Sequence, residues 1–228
     1  MRVLAFDIAV KHFSFCVLEK DKQSGKITVV QWKLLELPIT KWKQGEPCLV
    51  LFDVLEHHSS IVQDVTLIVI EEQPMINCKT SSLSFGIQMY FMLKYPQIPV
   101  RLQNGALKLR AKLPEASSTG KQDQDLLLSF SVTKKSSRKK RKSSSLSTCD
   151  VVESNKKEQL SITPKERKSK YKSKYKENKK KAVLYTRLFL ATHHKEEENF
   201  TNYFLNSKKK DDLADSYLHA LYALQQHC

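Results

Sequence analysis

KKDDLADSYLHALYALQQ, residues 209–226, opens with two lysines and two acids and continues as an Ala- and Leu-rich helical pattern. Asp212 and Asp215 stand three apart, and residues three apart share one face of a helix. Leu213, Leu218, Leu221, Tyr222 and Leu224 supply the apolar positions of that helix. Two carboxylates therefore project together from a helix start, where the backbone dipole tolerates negative charge. An Asp pair at such a place is also an ordinary N-capping signal. What decides between the two readings is whether other acids converge on the same point.

Two strands offer such acids. RVLAFDI, residues 2–8, reads as a buried strand with Asp7 near its end. VTLIVIEE, residues 65–72, is a second continuous apolar strand, ending in Glu71 and Glu72. Gln73-Pro74 follows, and a proline stops the ladder. An acid buried in such a run is costly unless paired or metal-bound. Asp7, Glu71, Asp212 and Asp215 are thus candidates for one carboxylate cluster, whose members repel unless cations neutralise them. Hard divalent cations such as Mg²⁺ take oxygen ligands. A pair of them roughly 4 Å apart suits phosphodiester hydrolysis.

Three segments carry a resemblance to a known family. FDIAVKHFSFCVLE, residues 6–19, resembles the first hairpin of the RNase H-like superfamily. IVIEEQP, residues 68–74, resembles the second acidic strand end of the RuvC-like Holliday junction resolvases, and DDLADSYLHAL, residues 211–221, their closing helix. KYKENKKKAVLYTRLFL, residues 174–190, is similar to the lysine-rich helix of the poxvirus and large DNA virus members. The match covers residues 1–110 and about 171–228. Two departures stand out: Glu72 occupies a position that is often basic, and Asn178 one that is often arginine.

The resemblance implies an RNase H-like mixed five-stranded α/β sheet flanked by helices. It also implies a homodimeric endonuclease that cuts four-way DNA junctions with Mg²⁺, for which Mn²⁺ can substitute. Asp7, Glu71, Asp212 and Asp215 are its expected catalytic metal ligands. Lys174, Lys176, Lys179, Lys180 and Lys181 are its expected contacts to the DNA backbone, which give affinity without much sequence reading. Host cytoplasm (a viral factory) or nucleus is the expected location. An RNase H-like nuclease acting on RNA or RNA–DNA hybrids, and a non-catalytic nucleic-acid-binding protein, are the alternative readings.

Charge is unevenly placed along the chain. Residues 121–181 carry 20 Lys/Arg and 7 Asp/Glu, a net of +13, while the other 167 residues carry 19 and 17. The domain expected to fold is 1–110 with 174–228, and 111–173 reads as a basic low-complexity insertion. Its Ser- and Lys-rich runs cannot bury enough apolar area to offset chain entropy. Within it, LLLSFSV at 126–132 is the one apolar run, and RKKRK at 138–142 is a tail-like or nuclear-localisation patch. No run of 18 apolar residues is present, so no membrane span is expected. The start of the chain does not read as a secretory signal. Cys16, Cys48, Cys78, Cys149 and Cys228 are scattered and show no C-x-x-C spacing, which suits a reducing compartment better than a disulfide framework.

The remaining pattern predicts strands at about 12–19, 26–36 and 98–102. Helices are expected at about 47–63 and 79–94 and from about 176. Among the histidines, His219 is the one placed near the acids, a turn beyond Asp215.

Overall fold

The computed structural model describes residues 1–39, 42, 46–74, 76–112, 164–193 and 198–227. The chain divides into two compact units, Met1–Thr119 with Asn178–Cys228, and Gly120–Glu177. In the first unit a five-stranded mixed sheet forms, with strands β1 (Arg2–Asp7), β2 (His12–Lys20), β3 (Ile27–Glu36), β4 (Leu67–Glu71) and β5 (Val100–Gln103). Their order across the sheet is β3-β2-β1-β4-β5. β1, β2 and β3 are antiparallel neighbours, whereas β4 and β5 run parallel to β1. Asp21 Oδ1 accepts from the Gln23 and Ser24 amides at the β2–β3 turn, where Gly25 supplies a φ of 69°.

Helices cover both faces, because successive strand residues point to opposite sides. Leu4, Phe6, Phe13, Phe15, Ile68 and Ile70 pack against Leu51 and Leu55 of α1 (Glu46–His57). The same core takes in Leu83, Ile87 and Phe91 of α2 (Cys78–Lys94). Val3, Ala5, Cys16, Leu18, Leu67 and Val69 form the other face. Three helices supply the residues that cover it: α3 (Pro164–His193), α4 (Glu198–Asn206) and α5 (Lys210–Gln226). Tyr217 of α5 is fully buried against Trp32, and Phe204 of α4 stacks on Trp32 at 5.2 Å.

Element boundaries differ from expectation at three places. Where one helix was expected over 47–63, α1 ends at His57 and a 3₁₀ turn, Ser59–Val62, follows. His58 leaves the helical region at φ −112°, ahead of two serines that favour turns over helix interiors. α3 begins at Pro164, not near 176, so Pro164–Ser173 of the expected insertion is helical. Proline is favoured in a first helical turn, and the Lys, Glu and Arg after it are good helix formers whatever their charge. α4 was not foreseen; it is nine residues long and has a single fully buried side chain, Phe204. The runs at 126–132 and 138–142 lie outside the described residues. Among the described residues no helix is long and apolar enough to cross a membrane.

Candidate metal centre

The strand alternation that builds the two cores also aims the acids. Asp7 continues the Val3–Ala5 series and Glu71 the Leu67–Val69 series, so both face the side covered by α5. Glu72 is exposed and falls in the opposite series. Parallel pairing sets Phe6 opposite Ile70, which brings the next residues, Asp7 and Glu71, side by side at the strand ends.

Two hydrogen bonds from the sheet hold the start of α5 in place, and a third forms within the helix. Ser14, the cross-strand partner of Asp7, donates its hydroxyl to the Asp212 carbonyl at 2.7 Å. Trp32 Nε1 donates to the Leu213 carbonyl at 3.1 Å, and the Ser216 hydroxyl to the same carbonyl at 3.0 Å. The N-cap position is Lys209 and carries no side-chain cap. The aspartates are therefore not spent on capping.

One carboxylate oxygen each from Asp7, Glu71 and Asp215 lie within 4.8 Å of one another. Asp7 is 8 % and Asp215 7 % exposed. Asp212 is buried too, but it is not one of the three gathered acids. Its Oδ1 lies 3.7 Å from Lys179 Nζ, and Lys179 also pairs with Asp211. Lys179, expected on the DNA backbone, is thus engaged with acids at the start of α5. Lys174, Lys176 and Lys180 are exposed and Lys181 is half-buried. Lys174 and Lys176 belong to the second unit.

Pattern reading of the sequence passed over two residues at the centre. Lys108, in a 3₁₀ turn at Leu107–Arg110, places Nζ 2.7 Å from Asp215 Oδ2 and 3.4 Å from Glu71 Oε1. Gly105 lies so close that a Cβ there would stand 2.1 Å from Glu71 Oε1. The available signal was position: both follow the carboxyl end of a strand parallel to β4, where sites on open α/β sheets form. His219 is fully buried, with Nε2 3.6 Å from Glu71 Oε2.

Burial, reinforced by the charges of Glu71 and Asp215, pushes Asp7 well above the usual carboxylate range. Asp215 is raised by burial despite Lys108. Burial and the neighbouring Asp211 raise Asp212. Burial works against ionised Glu71, yet His219 and Lys108 together hold it below its ordinary value. Lys108 is likewise held above its ordinary value against burial, by Asp215, Glu71 and Asp7.

One ammonium among three gathered carboxylates leaves excess negative charge. Asp215 Oδ1 is buried with no hydrogen-bond partner among the described residues. An all-oxygen donor set with an orphaned carboxylate oxygen fits a hard divalent cation.

Neither a family model nor a curated protein sequence matches the chain. Solved structures do. Fowlpox virus resolvase in complex with its substrate Holliday junction DNA aligns with a TM-score of 0.54 and 14 % identity, over 100 % of this chain and 99 % of that one. The yeast mitochondrial Holliday junction resolvase aligns at 0.49 and 14 %, over 99 % and 82 %. The Thermus thermophilus RuvC–Holliday junction complex aligns at 0.37 and 11 %, over 49 % and 70 %. At such identity the likeness is one of fold: the chain has the RNase H-like fold that its motifs resemble.

Two outcomes follow. Gly105→Ala should fold, since the clash is with a side-chain end, but the displaced Glu71 carboxylate should weaken Mn²⁺ binding about tenfold or more. Calorimetric titration checks this, and unchanged affinity rejects the close-approach argument. The second outcome concerns pH. Asp7 and Asp215 have raised values, so the metal-free folded chain binds more protons than the unfolded one. Their contribution to stability then falls as pH rises past about 4, the ordinary carboxylate value. Glu71, held low, contributes in the opposite sense only at more acid pH. Mg²⁺ should therefore raise the melting temperature at about pH 8 and lose that effect near pH 4, because protons and metal compete for the same oxygens. Melting scans with and without Mg²⁺ read this directly.

Proposed function

We propose that the chain is a metal-dependent endonuclease that cuts branched DNA, with the four-way junction as its substrate, during recombination or viral genome replication. The observation that carries this reading is the convergence of Asp7, Glu71 and Asp215 within 4.8 Å, from two parallel strand ends and one helix start. The fold likeness to a resolvase bound to junction DNA supports the substrate class.

The residues divide the work. Asp7, Glu71 and Asp215 would hold the divalent cation, with Asp212, a turn earlier on α5, completing the set. Mg²⁺ bound there supplies Lewis-acid stabilisation of the charge that builds on a phosphodiester during hydrolysis. Lys108, 2.7 Å from Asp215, adds an ammonium at the same cluster. Lys174, Lys176, Lys179, Lys180 and Lys181 attract the backbone through charge.

A two-fold junction suits a two-fold enzyme. α2 offers a face for the second copy: Phe85, Met89, Met92 and Leu93 recur at helical spacing, and each is more than half exposed. The proposed assembly is a homodimer through this face.

Asp7→Asn, Glu71→Gln, Asp212→Asn and Asp215→Asn should each lower junction cleavage by roughly a thousandfold, several kcal/mol of lost transition-state stabilisation. Junction binding should persist, since no lysine is removed. Glu72→Gln should cleave almost normally. The assay compares a four-way junction, a splayed duplex and an RNA–DNA hybrid in Mg²⁺ or Mn²⁺. Preferential cutting of the hybrid would move the chain to the RNA-directed class, and near-normal cleavage by any two acid variants removes the metal-centre assignment. For the dimer, light scattering should report two chains per particle, and one chain for Met89→Glu. A monomeric wild type, with and without junction DNA, rejects the assembly.

A further inference from the structure

Behind the carboxylates lies a buried polar contact that the reaction scheme leaves unused. Gln103 ends β5 opposite Glu71 of β4, and His219 lies a turn beyond Asp215 on α5. Gln103 is almost fully buried and His219 wholly so. Gln103 Nε2 stands 2.6 Å from His219 Nδ1 and 3.5 Å from the His219 backbone carbonyl oxygen.

These two contacts point to one assignment of the protons. A carbonyl oxygen only accepts, so the amide end that faces it must be the NH₂ donor. The same NH₂ then donates to Nδ1, whose lone pair accepts. A neutral imidazole with an accepting Nδ1 carries its proton on Nε2. Nε2 is buried, has no hydrogen-bond partner among the described residues, and stands 3.6 Å from Glu71 Oε2. A shift of a few tenths of an ångström closes that bond.

The other Glu71 oxygen faces elsewhere. Oε1 lies 3.4 Å from Lys108 Nζ and occupies the space that a Cβ on Gly105 would take. The carboxylate is therefore held at both ends, one oxygen toward His219 and the other toward the cation seat.

Building on the metal-dependent reading above, we propose that Gln103 and His219 form a positioning relay for Glu71. Gln103 fixes the His219 tautomer, and His219 presents Nε2–H to Oε2, which keeps Oε1 turned toward the cation. Both are positioning residues, acting through Glu71 and not on substrate. Hydrogen-bonded partners of this kind orient a ligand and typically govern ten- to a hundredfold in metal affinity (roughly).

The test uses the full chain and three variants. His219→Leu keeps volume and removes the donor; His219→Gln restores a donor near the Nε2 position; Gln103→Leu removes the orienting amide. Long-range ¹⁵N–¹H spectra of the imidazoles, with His219 assigned by its loss in His219→Gln, report the tautomer without any metal. Mn²⁺ binding is measured by calorimetry without DNA, and melting scans monitor folding. Wild type should show the Nε2–H form and Gln103→Leu a shift toward Nδ1–H. Mn²⁺ affinity should fall about ten- to a hundredfold in His219→Leu and by less than about threefold in His219→Gln. In cleavage assays the half-saturating Mn²⁺ concentration should rise more than kcat falls.

An Nδ1–H tautomer in the wild type overturns the relay. So does wild-type affinity in a folded His219→Leu, or a His219→Gln as weak as His219→Leu. Failure of the nuclease reading looks different. There the chain binds Mn²⁺, the variants shift that affinity as expected, and no nucleic acid is cut.

Discussion

Parallel pairing of β1 with β4 is the constraint on which the rest depends. Its register puts Phe6 opposite Ile70, so the residues that follow, Asp7 and Glu71, leave the sheet at one level and on one side. Two carboxylates about 5 Å apart repel by ~3 kcal/mol at an effective dielectric of 20, and Asp215 adds two further pairs. Burial of a single large apolar side chain contributes about 1.5–3 kcal/mol. The two cores, which bury Phe6, Phe15, Phe91, Tyr217 and Phe204 among others, are large enough to carry a cluster that is locally unfavourable. A local conflict of this kind, offset elsewhere, is where function is expected to reside.

Much of this was legible because strand period and chemistry coincide. RVLAFDI and TLIVIE place an acid at the end of an apolar run, and the odd–even alternation alone separates Glu71 from Glu72. The closing helix was equally readable, since Asp212 and Asp215 precede an uninterrupted apolar stripe. The four acids grouped from the sequence and the three gathered in space differ by Asp212, whose carboxylate lies 3.7 Å from Lys179 Nζ. Spacing on a helix shows which residues share a face; it does not show which lysine from another element will meet them.

Lys108, Gly105 and Gln103 were illegible for a related reason. They sit in VRLQNGALKLR, residues 100–110, a short strand and turn with no strong period, and their roles exist only once β5 lies beside β4. Gly105 is required by closeness, and no turn signal announces that. Helical order at Pro164–Ser173 is masked in the sequence by net charge and serine content, which are marks of an unstructured chain. Lysine is nonetheless a good helix former, so composition and local propensity pointed in opposite directions.

The placement of Lys108 changes what binding a cation means at this site. In the chain as it stands, an ammonium 2.7 Å from Asp215 already provides a positive charge at the cluster. On the metal-dependent reading, a divalent ion would not enter a bare nest of carboxylates; it would compete with a lysine for the same oxygens. The net gain is one unit of charge at the cluster if the lysine leaves, and more if it moves aside only as far as an incoming phosphate. Such exchange would lower apparent cation affinity, yet the lysine lets the chain gather three acids before any cation arrives. Lys179 stands in the same relation to Asp211 and Asp212 a turn away. Each lysine lies between carboxylates on one side and, on the proposed reading, DNA phosphates on the other. On that reading, phosphate that draws the lysines outward would uncover carboxylate oxygens, and substrate and cation binding would favour one another through these two side chains.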